Sequence, residues 1–203
     1  MQDFRPTLLH HMLALAPFDG WSRHMLCEAA RRAGISESEA TRAFPRGAES
    51  CIDYFFAQQD VALTTQFPEG SLSSLRVPQR IETLIMARLA ALAPHREAVR
   101  RAASLRLLPW NAPHAVKSLA HTADLLWRLA GDRATDFNYY TKRMTLAGVY
   151  LATFTYWMND QSEHLATTRE FLKKRLMSVA EFGKKKKALK EKLQAFSYYK
   201  KRA

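Results

Sequence analysis

The sequence contains no G-x-G, no H-x-x-x-H and no glutamate followed by histidine three residues later. The first absence removes the dinucleotide fingerprint and the glycine-rich phosphate loop. The others remove zincin-type helices and the di-iron carboxylate pattern of helical bundles. Two cysteines, Cys27 and Cys51, stand 24 positions apart. That is too far for CxxC and too few for a disulfide framework, and it leaves two thiols in a reducing compartment. With seven glycines and eight prolines in 203 residues, turns are few, and no segment alternates long enough to make a strand. Long apolar runs are missing too. The charge-free stretch from Met144 to Asn159 is 16 residues, below the roughly 20 that span hydrocarbon. Met1-Gln2-Asp3-Phe4-Arg5 resembles neither a signal peptide nor an Arg- and Ser-rich transit segment. The expectation is an all-α, soluble or peripheral protein.

Acidic residues are outnumbered, 19 against 31 Lys and Arg, for a net charge of +12. From Lys184 to Ala203 nine cations face one glutamate, so this tail carries +8 and the other 183 residues only +4. Lys184, Lys185, Lys186 and Lys187 open the tail; Leu189, Leu193 and Phe196 share one side of a helix, and Tyr199 lies near its end. Such a segment fits a solvated terminus or contact with an anionic membrane surface.

Helical spacing accounts for nearly every periodic segment. Leu8, Leu9, Met12, Leu13 and Leu15 predict a helix ending before Pro17. Ser22 caps a second with Met25, Leu26, Ala29, Ala30 and Ala33 on one face, stopped by Gly34. Ser36 caps a short third with Ala40, Ala43 and Phe44 inward, completing a helix-turn-helix-like arrangement. A fourth runs from Ala48 to near Phe67 through Ile52, Phe55, Phe56 and Val61. Pro68 to Pro78 reads as a linker. Beyond it come a helix on Ile81, Leu84, Ile85, Leu89 and Leu92, a segment from Val99 to Leu108, and a helix on Val116, Leu119, Ala120, Ala123, Trp127 and Ala130. Helices from Tyr139 to Met158 and from about Ser162 to Phe182 follow. The implied units are an N-terminal helix-turn-helix-like unit (5–67), a C-terminal helical bundle (78–183) and the basic tail (184–203).

No residue set proposes catalysis. The tightest His–carboxylate pair is His121 with Asp124, and a surface or core hydrogen bond is its ordinary meaning. DNA is disfavoured because the second helix of the helix-turn-helix opens on Glu37 and Glu39, with Arg42 its only cation. The segment Thr135-Asp136-Phe137-Asn138-Tyr139-Tyr140-Thr141-Lys142-Arg143 packs polar, aromatic and basic types together ahead of an apolar helix. That helix carries Met144, Ala147, Gly148, Leu151, Phe154, Thr155 and Met158 on one side, and Leu146, Val149, Tyr150, Thr153 and Trp157 on the other. It reads as a helix buried all round, or as the wall of a lipid cavity with space beside Ala147, Gly148 and Ala152. Tyr139, Tyr140 and Arg143 are of the types enriched at protein–protein hot spots.

Ala130-Gly131-Asp132, Thr135 to Thr141, Arg143, Phe171-Leu172 and the N-terminal Phe18-Asp19-Gly20-Trp21-Ser22 together resemble the ninth Coq protein family, accessory proteins of ubiquinone biosynthesis, in its bacterial branch. The resemblance covers residues 5 to 182. It implies a tetracycline-repressor-like helical bundle that has left DNA, binds isoprenoid lipid and presents a quinone precursor to the demethoxyubiquinone hydroxylase. On that resemblance the partner patch takes in Asp124, Trp127, Asp136, Asn138, Tyr139, Tyr140 and Arg143. The lipid site takes in Leu146, Val149, Tyr150, Phe154 and Trp157. No metal, cofactor or catalytic residue is implied; the ligand is an isoprenoid quinone or other lipid. A homodimer is expected, on the cytoplasmic face of a bacterial inner membrane, or at the mitochondrial inner membrane for a mature eukaryotic form. Tyr139 stands where many relatives carry Trp, and the lysine-rich tail favours electrostatic docking over deep insertion. The competing reading is a ligand-responsive transcription regulator of the tetracycline-repressor type.

Overall fold

The computed structural model describes residues 3–132 and 137–181, with backbone alone at 137 and 138. The described residues form α1 (Arg5–Asp19), α2 (Arg23–Ala33), α3 (Glu37–Ala43), α4 (Ala48–Gln66), α5 (Val77–Leu92), α6 (Arg96–Arg106), α7 (Ala112–Leu129) and α8 (Phe137–Trp157). Residues 166–181 form a further helix, α9. No strand occurs among the described residues, so the all-α class holds. Two compact units divide inside α8, Met1–Ala147 and Gly148–Ala203.

In the first unit α1 and α2 pack on each other, and α1 also meets α6. Pro17 does not end α1, contrary to the sequence expectation; the helix carries it internally and stops at Gly20, whose φ of 68° only glycine adopts readily. The stop aims Trp21 inward. Its indole Nε1 donates to the Ala98 carbonyl at 2.8 Å, and the next residue, Ser22, accepts from the Met25 amide at 3.0 Å as the α2 cap. Gly34 closes α2 in the left-handed conformation. Ser36 and Glu39 then form a capping box at the start of α3.

Ile52 and Phe55 of α4 are buried as expected, whereas Val61 is exposed and Leu63 takes the inward position. On α5, Ile81, Leu84, Ile85, Leu89 and Leu92 are all buried. The inward face of α7 is only in part the one its apolar spacing predicts: Ala123 and Ala130 are buried and Leu119 and Trp127 half-buried. Thr122, Ala123, Leu125 and Leu126 are buried while Val116 and Ala120 face solvent. A buried cation meets this face. Arg88 of α5 pairs with Asp60 of α4 and donates to Thr122 Oγ1 at 3.4 Å. Turning Thr122 inward gives a buried guanidinium a further acceptor, and such groups are costly when left partly unmet. His121 is correspondingly 3.5 Å from Asp60 rather than paired with Asp124.

In the second unit the turn after α8 is organised by one carboxylate. Asp160 accepts from the Ser162 amide (2.8 Å) and hydroxyl (2.6 Å), the Thr167 hydroxyl (2.7 Å), and the Thr168 amide (2.9 Å) and hydroxyl. Burial opposes its ionisation, but these donors outweigh that and hold the carboxyl below its usual range. The same turn holds His164 and Leu165 at φ of 51° and 57°, a left-handed conformation that costs non-glycine residues energy and needs such anchoring. Tyr156 and Phe171 stack with centroids 4.5 Å apart, closing α8 on α9.

Candidate functional site

α7 ends in a turn that glycine makes possible. Gly131 has a φ of 87° and a Cβ there would lie 3.1 Å from Arg80 Nη1. Arg80 donates to the carbonyls of Ala130 (2.9 Å), Leu75 (2.8 Å) and Ser73 (2.8 Å), binding this turn to the one between α4 and α5. The Asp132 amide closes back on the Trp127 carbonyl at 2.9 Å.

On this frame the polar residues converge. Arg143, only 9% exposed, donates from Nε to Asp124 Oδ1 at 2.6 Å and from Nη1 to Asp132 Oδ2 at 3.2 Å. Its guanidinium lies over the Tyr139 ring, 3.4 Å from the centroid, and the Tyr139 hydroxyl donates to the same Asp124 oxygen at 3.1 Å. Lys142 reaches Asp132 Oδ1 at 2.6 Å, Arg128 lies 3.0 Å from Asp124 Oδ2, and the Trp127 indole donates to the Lys142 carbonyl at 3.0 Å. Burial alone would raise both carboxyl pKa values. The Arg143 bond to Asp124 and the Lys142 bond to Asp132 reverse that, and both carboxyls end below the ordinary range. Arg143 shows the mirror image: desolvation lowers its pKa, and Asp124 more than restores it.

The cluster therefore joins Asp124, Trp127, Tyr139 and Arg143 from the expected patch, and adds Asp132 and Lys142, to which the sequence reading gave no role. It consists of ionised, mutually paired groups, which suits holding a surface in place and not general acid–base work. Tyr140 is left outside it, 67% exposed, with Met144 one turn on at 76%. Asp136 and the Asn138 side chain lie outside the described residues, as do Lys184, Lys185, Lys186, Lys187, Leu189, Leu193, Phe196 and Tyr199.

Of the expected lipid residues, Leu146, Val149, Tyr150 and Trp157 are buried and Phe154 is half-buried. Tyr150 stacks on Phe154, which in turn lies 5.6 Å from Trp157. The opposite side of α8 corrects the expectation of a helix buried all round: Met144, Gly148, Leu151 and Thr155 face solvent. A Cβ added at Gly148 meets nothing within 4 Å, so this glycine does not open space toward a pocket. A cavity of about 480 Å³ in the second unit is lined by Tyr156, Asn159, Asp160, Gln161, Ser162 and Thr167. Its polar lining is not that of an isoprenoid site. On α3 the Glu39 carboxylate accepts from the Ser36 amide at 3.1 Å, so that acid serves the helix cap. Among the described residues, no group of three or more His, Cys, Asp or Glu is placed to hold a metal ion, and no helix is long and apolar enough to cross a membrane.

Residues 112–183 match the sequence profile of the COQ9 family. This region is similar to the COQ9 family. The match begins at the first residue of α7 and takes in the ion-pair cluster, α8 and α9. The chain is 31% identical over 196 residues to the human ubiquinone biosynthesis protein COQ9, mitochondrial, covering 93% of this chain and 61% of that protein. The Schizosaccharomyces pombe COQ9 protein is 26% identical over 175 residues, 85% of this chain and 68% of that protein. The chain thus spans about six tenths of the length of its mammalian COQ9 relatives. A crystal structure of a TetR transcriptional regulator from Nitrosomonas europaea aligns with a TM-score of 0.73 and 28% identity, covering 88% of this chain and 99% of that one. The fold is tetracycline-repressor-like.

Proposed function

We propose that the protein is a non-catalytic accessory protein of ubiquinone biosynthesis. It binds an isoprenoid quinone intermediate and, as a homodimer peripheral to a membrane, presents it to the demethoxyubiquinone hydroxylase. The observation that carries this reading is the COQ9 match over residues 112–183, read with what the cluster in that region leaves exposed. Arg143, Asp124 and Asp132 satisfy one another, and Tyr140 and Met144 stand out on a rigid support. An exposed aromatic held by fixed neighbours is a suitable anchor for a protein partner. The uncharged outer side of α8 suits pairing between copies, and the aromatic run of buried Tyr150, half-buried Phe154 and buried Trp157 is the kind of wall a lipid chain packs against.

The test is capture of purified hydroxylase on immobilised protein. Tyr140→Ala is expected to lose capture while keeping the melting temperature, and undiminished capture would refute the patch. The transcription-regulator alternative draws on the Nitrosomonas europaea structure. Its weakness is the α3 surface, where Glu37 and Glu39 occupy the first turn and Arg42 is the one cation of that helix. A sequence-dependent footprint on duplex DNA would reinstate it.

A further inference from the structure

The connection between α6 and α7 carries a feature that the patch and the lipid residues do not use. Leu107 is 83% exposed and Trp110 is 71% exposed, with Val116 also turned to solvent. They sit with Pro109, Ala112 and Pro113 on a short knuckle built around a 3-10 turn, Pro109–Asn111. Apolar residues in a connection usually fold back onto the core, because solvent gives them nothing. Here the backbone prevents that. The buried Asn111 side chain donates to the Leu105 carbonyl at 3.0 Å. The Leu107 amide bonds Ala103 at 3.0 Å, Leu108 bonds Leu105 at 3.3 Å, and Asn111 bonds Leu108 at 2.9 Å. The Ala112 amide returns to the Pro109 carbonyl, and Pro109 and Pro113 have no amide hydrogen to satisfy.

A rigid, apolar tip whose amides are mostly met from within loses little on leaving water. The charge around it is net positive. From Ala98 to Ala123 the sequence has no Asp or Glu but has Arg100, Arg101, Arg106 and Lys117. Arg106 is buried against Asp53, and Arg46, from the turn before α4, lies 3.5 Å from the His114 ring. The solvent-facing charges at the knuckle and on the elements packed against it are therefore Arg46, Arg100, Arg101 and Lys117, opposed by Asp53 and Glu97. Tryptophan and leucine at an exposed tip with cations behind them match the boundary between headgroups and acyl chains of an anionic bilayer. A protein hot spot would also use Trp, but it is normally ringed by hydrogen-bonding groups of both signs, and the exposed run here offers only apolar side chains and Lys117.

We propose that the knuckle at residues 107–116 is a membrane-contact point, with Leu107 and Trp110 entering the headgroup boundary of an anionic bilayer. It fixes one face of the protein to the surface, and it rests on the membrane-peripheral reading above. Trp110 is also a built-in probe, since Trp21 and Trp157 are buried and Trp127 is half-buried.

The experiment uses the full chain with mixed phosphatidylcholine–phosphatidylglycerol vesicles. It reads co-sedimentation, and quenching of tryptophan emission by brominated acyl chains. The expected result is quenching in the unsubstituted protein, its loss in Trp110→Phe with binding retained, and binding about ten-fold weaker in Leu107→Ser/Trp110→Ser. Equal quenching in Trp110→Phe, or equal binding of the double variant, overturns the knuckle while leaving peripheral binding through other segments intact. No sedimentation of the unsubstituted protein with anionic vesicles overturns the membrane-peripheral reading and the knuckle together. Concentration-dependent self-association abolished by the double variant, without lipid quenching, overturns the assignment in favour of contact between copies. Both side chains are solvent-facing, so an unchanged melting temperature in the variants confirms that folding is not what is being read.

Discussion

Arg143 Nε lies 2.6 Å from Asp124 Oδ1, joining the start of α8 to α7. A residue of a type enriched at protein–protein hot spots is thereby used inside the protein. Its second carboxylate partner, Asp132, comes from the turn that Gly131 makes, so the arrangement depends on backbone and side chains together. What the cluster leaves exposed is its outer edge, Tyr140 and Met144.

That division separates two substitutions at neighbouring turns of one helix. Arg143→Glu places a third carboxylate between Asp124 and Asp132 and is expected to cost roughly 3–5 kcal/mol of stability. Arg143→Lys keeps the charge but loses the forked geometry, and is also destabilising. Tyr140→Ala changes stability by no more than about 0.5 kcal/mol. Urea unfolding of the three variants checks this, and an Arg143→Glu protein as stable as the parent would contradict the buried role.

Much of the fold is legible in the sequence because its signals are local. Ser22, Gly34 and Ser36 mark helix ends through their own hydrogen bonds and backbone freedom, and the five apolar positions of α5 are all buried. The inward face of α7 is legible only in part: Ala123 and Ala130 are buried as their spacing predicts, but Thr122 also turns inward, where it meets Arg88 of another helix. Apolar spacing carries no information about a buried cation 34 residues away. The site is legible in part. Asp124, Trp127, Tyr139 and Arg143 do come together, but Asp132 and Lys142 enter through the geometry of the Gly131 turn. Gly148 is misread because composition along α8 does not say which side faces water; both sides are apolar and only one is buried.

The Asp160 cap gives a pH signature. Its native pKa lies below the ordinary value of about 3.9, so its contribution is fully present above that value and is lost as pH falls through the native one. Asp160→Asn is expected to cost roughly 2–3 kcal/mol at neutral pH, from the lost cap and charge-assisted bonds. The gap between variant and parent narrows as the pH is taken below about 4. Chemical denaturation across that range reads it, and a gap independent of pH would mean the carboxylate charge is not what matters.

Two glycines should respond in opposite ways. Gly131→Ala forces a Cβ into a φ of 87° and to within 3.1 Å of Arg80, and about 1–3 kcal/mol is the expected loss. Gly148→Leu, inside α8 with open space around it, is expected to gain up to about 1 kcal/mol from helix propensity and to leave any bound lipid unchanged. Loss of lipid in Gly148→Leu would mean that this side of α8 faces the ligand after all.

The central claim is that this protein carries an isoprenoid quinone intermediate. Mass spectrometry of organic extracts from the natively purified protein tests it most directly. The account predicts an isoprenylated quinone or precursor at close to one molecule per chain. A clean extract, or one holding only bulk phospholipid, would contradict it and leave Tyr150, Phe154 and Trp157 as ordinary core.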